Sequence, residues 1–199
     1  NTQLPLAGMK AAYHAHGPCL TDVRYTGAYG SERKVLLDAT LEFPRTDDYA
    51  RTFQKVRYSF QEELRAEGSY LHRLYPSVPD KYITYGNADG LLGEIRVSAD
   101  AKKGDVIIPP TELTGPGPWW VAFPERNKTT YMGSWKNGGY VGYPAMIIRD
   151  YKASFDGKPS KTMWLTATQS KASWGTPGVD TRFVADPKVT TYKPGDVVE

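Results

Sequence analysis

The chain has 199 residues, 25 basic against 22 acidic side chains, a formal net charge of +3, 40% hydrophobic residues and 13% aromatic ones. That length and apolar content suit one domain with a substantial core and exclude a disordered chain. With no basic run and no apolar run long enough for a bilayer, neither nucleic acid nor a membrane span is expected.

The lone Cys19 rules out an internal disulfide and a cysteine-based zinc site. Asn127-Lys128-Thr129 is a glycosylation acceptor pattern, which turns the expected location toward the extracellular space or cell surface, with the cytoplasm left open. No basic and apolar leader follows Asn1, so any signal is expected to have been removed or to lie outside the chain.

Apolar and polar residues alternate along most of the sequence. Residues 9–15 and 22–26 read as short strands parted by Gly17-Pro18. In the first, His14 and His16 stand two apart, and side chains at i and i+2 of a strand leave the same face, so the two imidazoles are predicted to address one ligand. As zinc or copper ligands they lack a third partner, since His72 is distant in sequence, and no metal is expected. Acid–base or anion-binding work suits them better, while two ordinary polar residues at a sheet margin would need no chemistry.

Residues 33–43 form the cleanest alternation, with Val35, Leu37, Ala39, Leu41 and Phe43 on one side. Pro44-Arg45-Thr46-Asp47 reads as a turn and residues 48–60 as the returning strand. Arg51, Lys55 and Arg57 project from one face of that strand, with Arg73 and Arg96 on later strands. Facing a cleft they would hold a carboxylate, the group an acidic sugar offers; facing water they are a solvated sheet face, for which Asp47 and Asp48 are candidate partners.

Residues 61–66 read as a turn or a single helical turn, and 69–75, 81–85 and 91–98 as strands. The loop Gly86-Asn87-Ala88-Asp89-Gly90 tolerates positive φ and would present Asn87 and Asp89 to a ligand in a fixed pose. Residues 100–118, with four prolines and three glycines, read as a loop-rich connection between two parts of one domain spanning 1–199. Strands at 119–123, 129–133, 144–155, 161–168, 180–185 and 188–192 follow.

Adjacent Trp119 and Trp120 point to opposite faces of their strand, so one joins the core and the other covers an outer face. With Trp135 and Tyr140 of the following Gly-rich segment, such rings are candidate platforms for stacking on sugar; filling the ends of a core is the alternative. At the other end of the chain, Pro194-Gly195 before Val197-Val198 reads as the opening of a further strand, and the chain is expected to be one domain of a longer protein. About ten to twelve strands over one core, with no convincing helix, predict an all-β fold, a large antiparallel β-sandwich. No nucleophile elbow, local Cys–His signature or placeable glycosidase carboxylate pair occurs.

Four of these stretches, in order, carry a resemblance: Tyr13-His14-Ala15-His16-Gly17-Pro18, Pro44-Arg45-Thr46-Asp47-Asp48, Tyr85-Gly86-Asn87-Ala88-Asp89-Gly90-Leu91 and Gly115-Pro116-Gly117-Pro118-Trp119-Trp120. They resemble the central β-sandwich domain of the exo-rhamnogalacturonan lyase family. The resemblance implies a parent with an N-terminal β domain, this sandwich and a following α/α toroid, cleaving rhamnogalacturonan of pectin by β-elimination from a chain end.

Elimination needs a base for the proton α to a uronate carboxylate, a cation for the developing enolate and an acid for the leaving oxygen. The resemblance assigns none of these. From chemistry alone His14 or His16 fits the base, Arg51 or Arg57 the cation and Tyr13 the acid, with Asn87, Asp89, Trp119, Trp120, Trp135 and Tyr140 as substrate-binding candidates. Acidic polysaccharide and neighbouring domains of the parent are the expected partners, the isolated domain is expected to be inactive, and no cofactor is expected, calcium being left open. The competing readings are a non-catalytic carbohydrate-binding module and a structural spacer.

Overall fold

The computed structural model of the chain describes residues 4–45, 51–65, 72–74, 82–98, 100–124, 145–171 and 177–199. The described residues hold antiparallel strands and no helix, the all-β sandwich class expected from the alternation. In chain order they are β1 Leu6–His16, β2 Leu20–Tyr29, β3 Val35–Pro44, β4 Phe53–Phe60, β5 Leu64–Arg65, β6 His72–Leu74, β7 Tyr82–Asn87, β8 Gly90–Arg96 and β9 Val106–Leu113. There follow β10 Trp119–Ala122, β11 Ala145–Ile148, β12 Ala153–Phe155, β13 Lys158–Ser160, β14 Met163–Lys171, β15 Pro177–Val184, β16 Thr191–Tyr192 and β17 Val197–Val198. They fall into two compact units: Asn1–Glu67 with Tyr151–Lys161 and Val189–Glu199, and Gly68–Asp150 with Thr162–Lys188.

In the first unit a seven-stranded sheet runs in the order β1, β2, β3, β4, β17, β12, β13, beside a two-stranded ribbon of β16 and β5. Directly opposed residues share a face, so the register sorts the side chains. One face carries Val23, Val35, Ala39, Phe60, Ala153 and Val198, all buried. There the ribbon adds Tyr192, whose ring stacks on Phe60 at 4.2 Å and 3° and meets the edge of Phe155 at 5.9 Å. The opposite face is mostly polar and exposed.

The apolar run expected to open a further strand forms β17, inserted between β4 and β12. It is reached through a turn in which Pro194 precedes Gly195 at φ 93, and the buried Asp196 accepts the backbone N–H groups of Lys193 at 2.8 Å and Asp156 at 2.7 Å. Asp156-Gly157, both with positive φ, close the β12–β13 hairpin in the two-residue turn that such a pair favours.

In the second unit two four-stranded sheets, β11-β10-β7-β8 and β6-β15-β14-β9, both bury alternate residues. Ile83 and Val121 come from one, and Ile108, Met163, Leu165, Ala167, Val179 and Phe183 from the other. Residues 106–113 are thus a strand inside the stretch expected to be a loop-rich connection. Pro109 and Pro110 are exposed, β9 stands at the end of its sheet order, and both prolines fall in a register shift between Ile108 and Thr111, where a missing N–H costs no ladder bond. The span 144–155, expected as one strand, splits into β11 and β12 in different units. Residues 64–65 are strand rather than helical turn, and the strand expected at 129–133 lies outside the described residues.

Trp119 and Trp120 divide as alternation requires: Trp119 is buried and donates its indole N–H to Leu113 O at 3.1 Å, while Trp120 is half-buried on the outer face and donates to Asn87 O at 3.0 Å. Trp120 lies on Gly86, where a Cβ would meet its ring at 2.5 Å and the Gly90 carbonyl oxygen at 2.1 Å. Because a backbone atom is in the way, Gly86→Ala is expected to destabilise by about 3 kcal/mol. Urea unfolding checks this, and a loss under about 1 kcal/mol would mean that the β7–β8 hairpin shifts freely.

Candidate functional site

The polar face of the seven-stranded sheet is built in rungs that cross the strands. Register places Lys10 of β1 opposite Thr26 of β2, Thr26 opposite Asp38 of β3, and Asp38 opposite Arg57 of β4. The rung continues through Glu199, beside Arg57, to Lys152, whose backbone exchanges two 2.8 Å hydrogen bonds with Glu199. The adjoining rung is Ala12, Arg24, Thr40 and Lys55. A third is Ala15, Asp22, Glu42 and Phe53. Over the first rung lies a groove of about 350 Å³ lined by Lys10, Thr26, Gly27, Arg33, Asp38 and Arg57.

Arg33 reaches this groove from the β2–β3 turn, where it holds φ 58, a left-handed value unusual for a residue with a Cβ. Its guanidinium lies over Gly8, where a Cβ would come within 3.4 Å of Nη1. Gly8 itself has φ 59 and sits in a bulge, two residues of β1 opposing Gly27 alone. The absence of a side chain at Gly8 leaves room for that guanidinium over the strand.

Two carboxylates are already held among the cations. Arg24 donates Nε to Asp38 Oδ1 at 2.8 Å and its Nη2 to Oδ2, a bidentate pair. Lys55 Nζ stands 2.9 Å from Glu199 Oε1 and Arg57 Nη1 donates to Oε2 at 3.2 Å. The hydrogen bond from Arg24 holds the Asp38 carboxyl below its ordinary range, and that from Lys55, with the charges of Arg57 and Lys152, does the same for Glu199. The cations of this face thus hold two carboxylates of the chain itself.

Lys55 and Arg57 share this face, as expected from their strand, and Arg51 is exposed two residues before it begins. Arg73 and Arg96 belong to the second unit, where Arg73 pairs with Asp180 and Arg96 stands 5.8 Å over the Tyr82 ring. Asp47 and Asp48, their expected partners, lie outside the described residues.

The two histidines do not share a face, contrary to the i, i+2 expectation. Tyr13 opposes Val23 but Ala15 opposes Asp22, so β1 carries one extra residue there and the alternation changes phase within the pair. His14 turns to the charged face, its Nδ1 3.6 Å from Asp22 Oδ2, with the imidazole about half exposed. His16 opposes Thr21 on the other face, its Nδ1 3.3 Å from Thr21 Oγ1 and its ring 5.3 Å from that of Tyr13. A shared metal ion or reacting atom is thereby ruled out for the pair, and Tyr13 is separated by the sheet from His14 and Arg57.

Among the other candidates, the Asn87 side chain is 6% exposed and turned inward: Nδ2 donates to Thr114 O at 2.7 Å, and Oδ1 accepts from the N–H groups of Asp89 and Gly90 at 2.8 and 3.2 Å. It fixes the turn, leaving Asp89 exposed at the tip. Trp135 and Tyr140 lie outside the described residues. No group of three metal-ligating side chains occurs among the described residues.

Lys10, Arg24, Asp38, Lys152 and Glu199 were not legible as site residues. The turn at Gly30 would have put Arg24 diagonal to Asp38, a signal that counting back along the hairpin could reach. Glu199 and Lys152 join the face only because β17 and β12 return to β4, and no local pattern encodes that. In comparisons with known proteins, no protein-family model, no curated protein and no solved structure matches the chain.

Proposed function

We propose that this chain is an acidic-polysaccharide-binding β-sandwich domain of a carbohydrate-active enzyme, with uronate-containing pectic chains as its substrate class. The observation that carries the reading is the charged face: Lys10, Arg24, Arg33, Lys55, Arg57 and Lys152 against Asp38 and Glu199 in the two central rungs and groove. Guanidinium and ammonium groups on rigid strands, with two carboxylates seated among them, form a surface that exchanges one carboxylate for another at little reorganisation. In a parent lyase of the kind the sequence motifs resemble, His14 beside Asp22 would be the proton acceptor and Arg24, two residues along β2, the cation.

Calorimetric titration of the 199-residue chain with oligogalacturonates, rhamnogalacturonan oligosaccharides and neutral cello-oligosaccharides tests the reading. Acidic oligomers are expected to bind, more weakly as salt rises from low to physiological strength, and neutral ones not at all. Lys10→Ala with Arg57→Ala should weaken binding about tenfold or more, a loss of roughly 1.4 kcal/mol or above. Glu199→Gln, which takes its carboxylate charge from Lys55 and Arg57, should tighten it. Equal affinity for neutral and acidic oligomers, or indifference to the double substitution, would overturn the proposal.

A further inference from the structure

The charged face has a direction as well as a sign, and this inference rests on the binding reading above. Moving along the strands from the two cationic rungs, a ligand meets Asp22 and Glu42 on one side. On the other lies the rung Ala7, Ala28, Leu36 and Ser59, which carries no charge of its own and buries Ala28, with the cation Arg33 reaching this side from the β2–β3 turn. Moving across the strands it meets cations on β1, β2 and β4, and then Lys152 beside β12. A polyanion laid along a strand would be attracted over the two cationic rungs and Arg33 and repelled at Asp22 and Glu42.

We infer that the acidic polysaccharide crosses the seven-stranded sheet at right angles to its strands, from Lys10 past Arg57 to Lys152. The sheet order puts five strand steps between β1 and β12. At a spacing of about 4.8 Å per step the path is roughly 24 Å long. A path of that length takes an oligomer of several sugars. Asp38 and Glu199, already neutralised by Arg24 and by Lys55 with Arg57, lie between the cations and face hydroxyl-bearing stretches of the chain.

The test is titration of the 199-residue chain with α-1,4-linked galacturonate oligomers of two, four and six residues at low salt. Affinity should rise about tenfold or more from dimer to hexamer and level off near the length of the path. Lys152→Ala, at an exposed side chain, should weaken the hexamer several-fold and leave the dimer's affinity within twofold. Glu42→Gln, off the path, should leave both unchanged. Binding without length dependence, or tightening by Glu42→Gln with a silent Lys152→Ala, overturns the crossing path while leaving carboxylate binding intact. Failure of every oligomer to bind overturns both readings.

Discussion

Tyr192→Ala is expected to cost about 4 kcal/mol, among the largest losses any single substitution in this chain can produce. The ring is 2% exposed, stacks face to face with Phe60 and receives the edge of Phe155. Phe60 ends β4, Phe155 ends β12, and Tyr192 comes from the short ribbon strand β16, so one side chain closes the apolar side of the sheet where β17 is inserted. Truncation leaves a cavity between strands that cannot collapse without breaking their pairing, and area burial and cavity formation add. Urea unfolding measures the loss. Tyr192→Phe keeps the ring and should cost less than half as much; equal costs for the two variants would show that the stack is not what matters.

Asp180→Ala is expected to cost about 3 kcal/mol in the second unit. The carboxylate is 3% exposed and accepts Arg73 Nε at 2.7 Å, Arg73 Nη2 at 2.9 Å and Arg182 Nη2. Removing it leaves two guanidinium groups, Arg182 partly buried and Arg73 exposed, without that carboxylate, which costs more than the pair contributes when intact. Burial pushes the Asp180 carboxyl up, but the hydrogen bonds from Arg182 and Arg73 outweigh it and hold the group below its ordinary value of 3.8. A carboxyl depressed on folding stabilises fully above its unfolded pKa and loses that contribution as pH falls through the folded one. The wild-type chain should therefore lose stability steeply below about pH 4, and Asp180→Ala should flatten that limb. Parallel pH profiles for the two proteins would remove the pair from the acid response.

The fold class was legible because burial on one face of a strand imposes a period of two, and residues 33–43 state it almost without interruption. The division of Trp119 and Trp120 followed from the same rule. What alternation cannot reveal is where it breaks. The extra residue at His14 is written in no local composition, since Ala-Tyr-His-Ala-His is equally good as regular strand, and the shift exists only relative to β2. Proline density misled at residues 106–113, because its meaning depends on whether a strand lies at an edge, which is a property of the sheet and not of the segment. The cationic side of the β4 strand was readable from Lys55 and Arg57 alone; its partners Glu199 and Lys152 were not, because sequence distance hides a neighbour that strand insertion creates.

The two bulges of β1 have an effect beyond where they send side chains. Among the described residues β1 stands at the end of the sheet order and is exposed along nearly its whole length, so its outer backbone groups are the kind of template on which another chain's strand could grow. A regular ladder needs evenly phased donors and acceptors, and the extra residues opposite Gly27 and Asp22 divide this edge into three short stretches that are out of phase with one another. An incoming strand that pairs with one stretch is misaligned with the next, so the irregularity that separates the histidines also makes this rim a poor template for self-association.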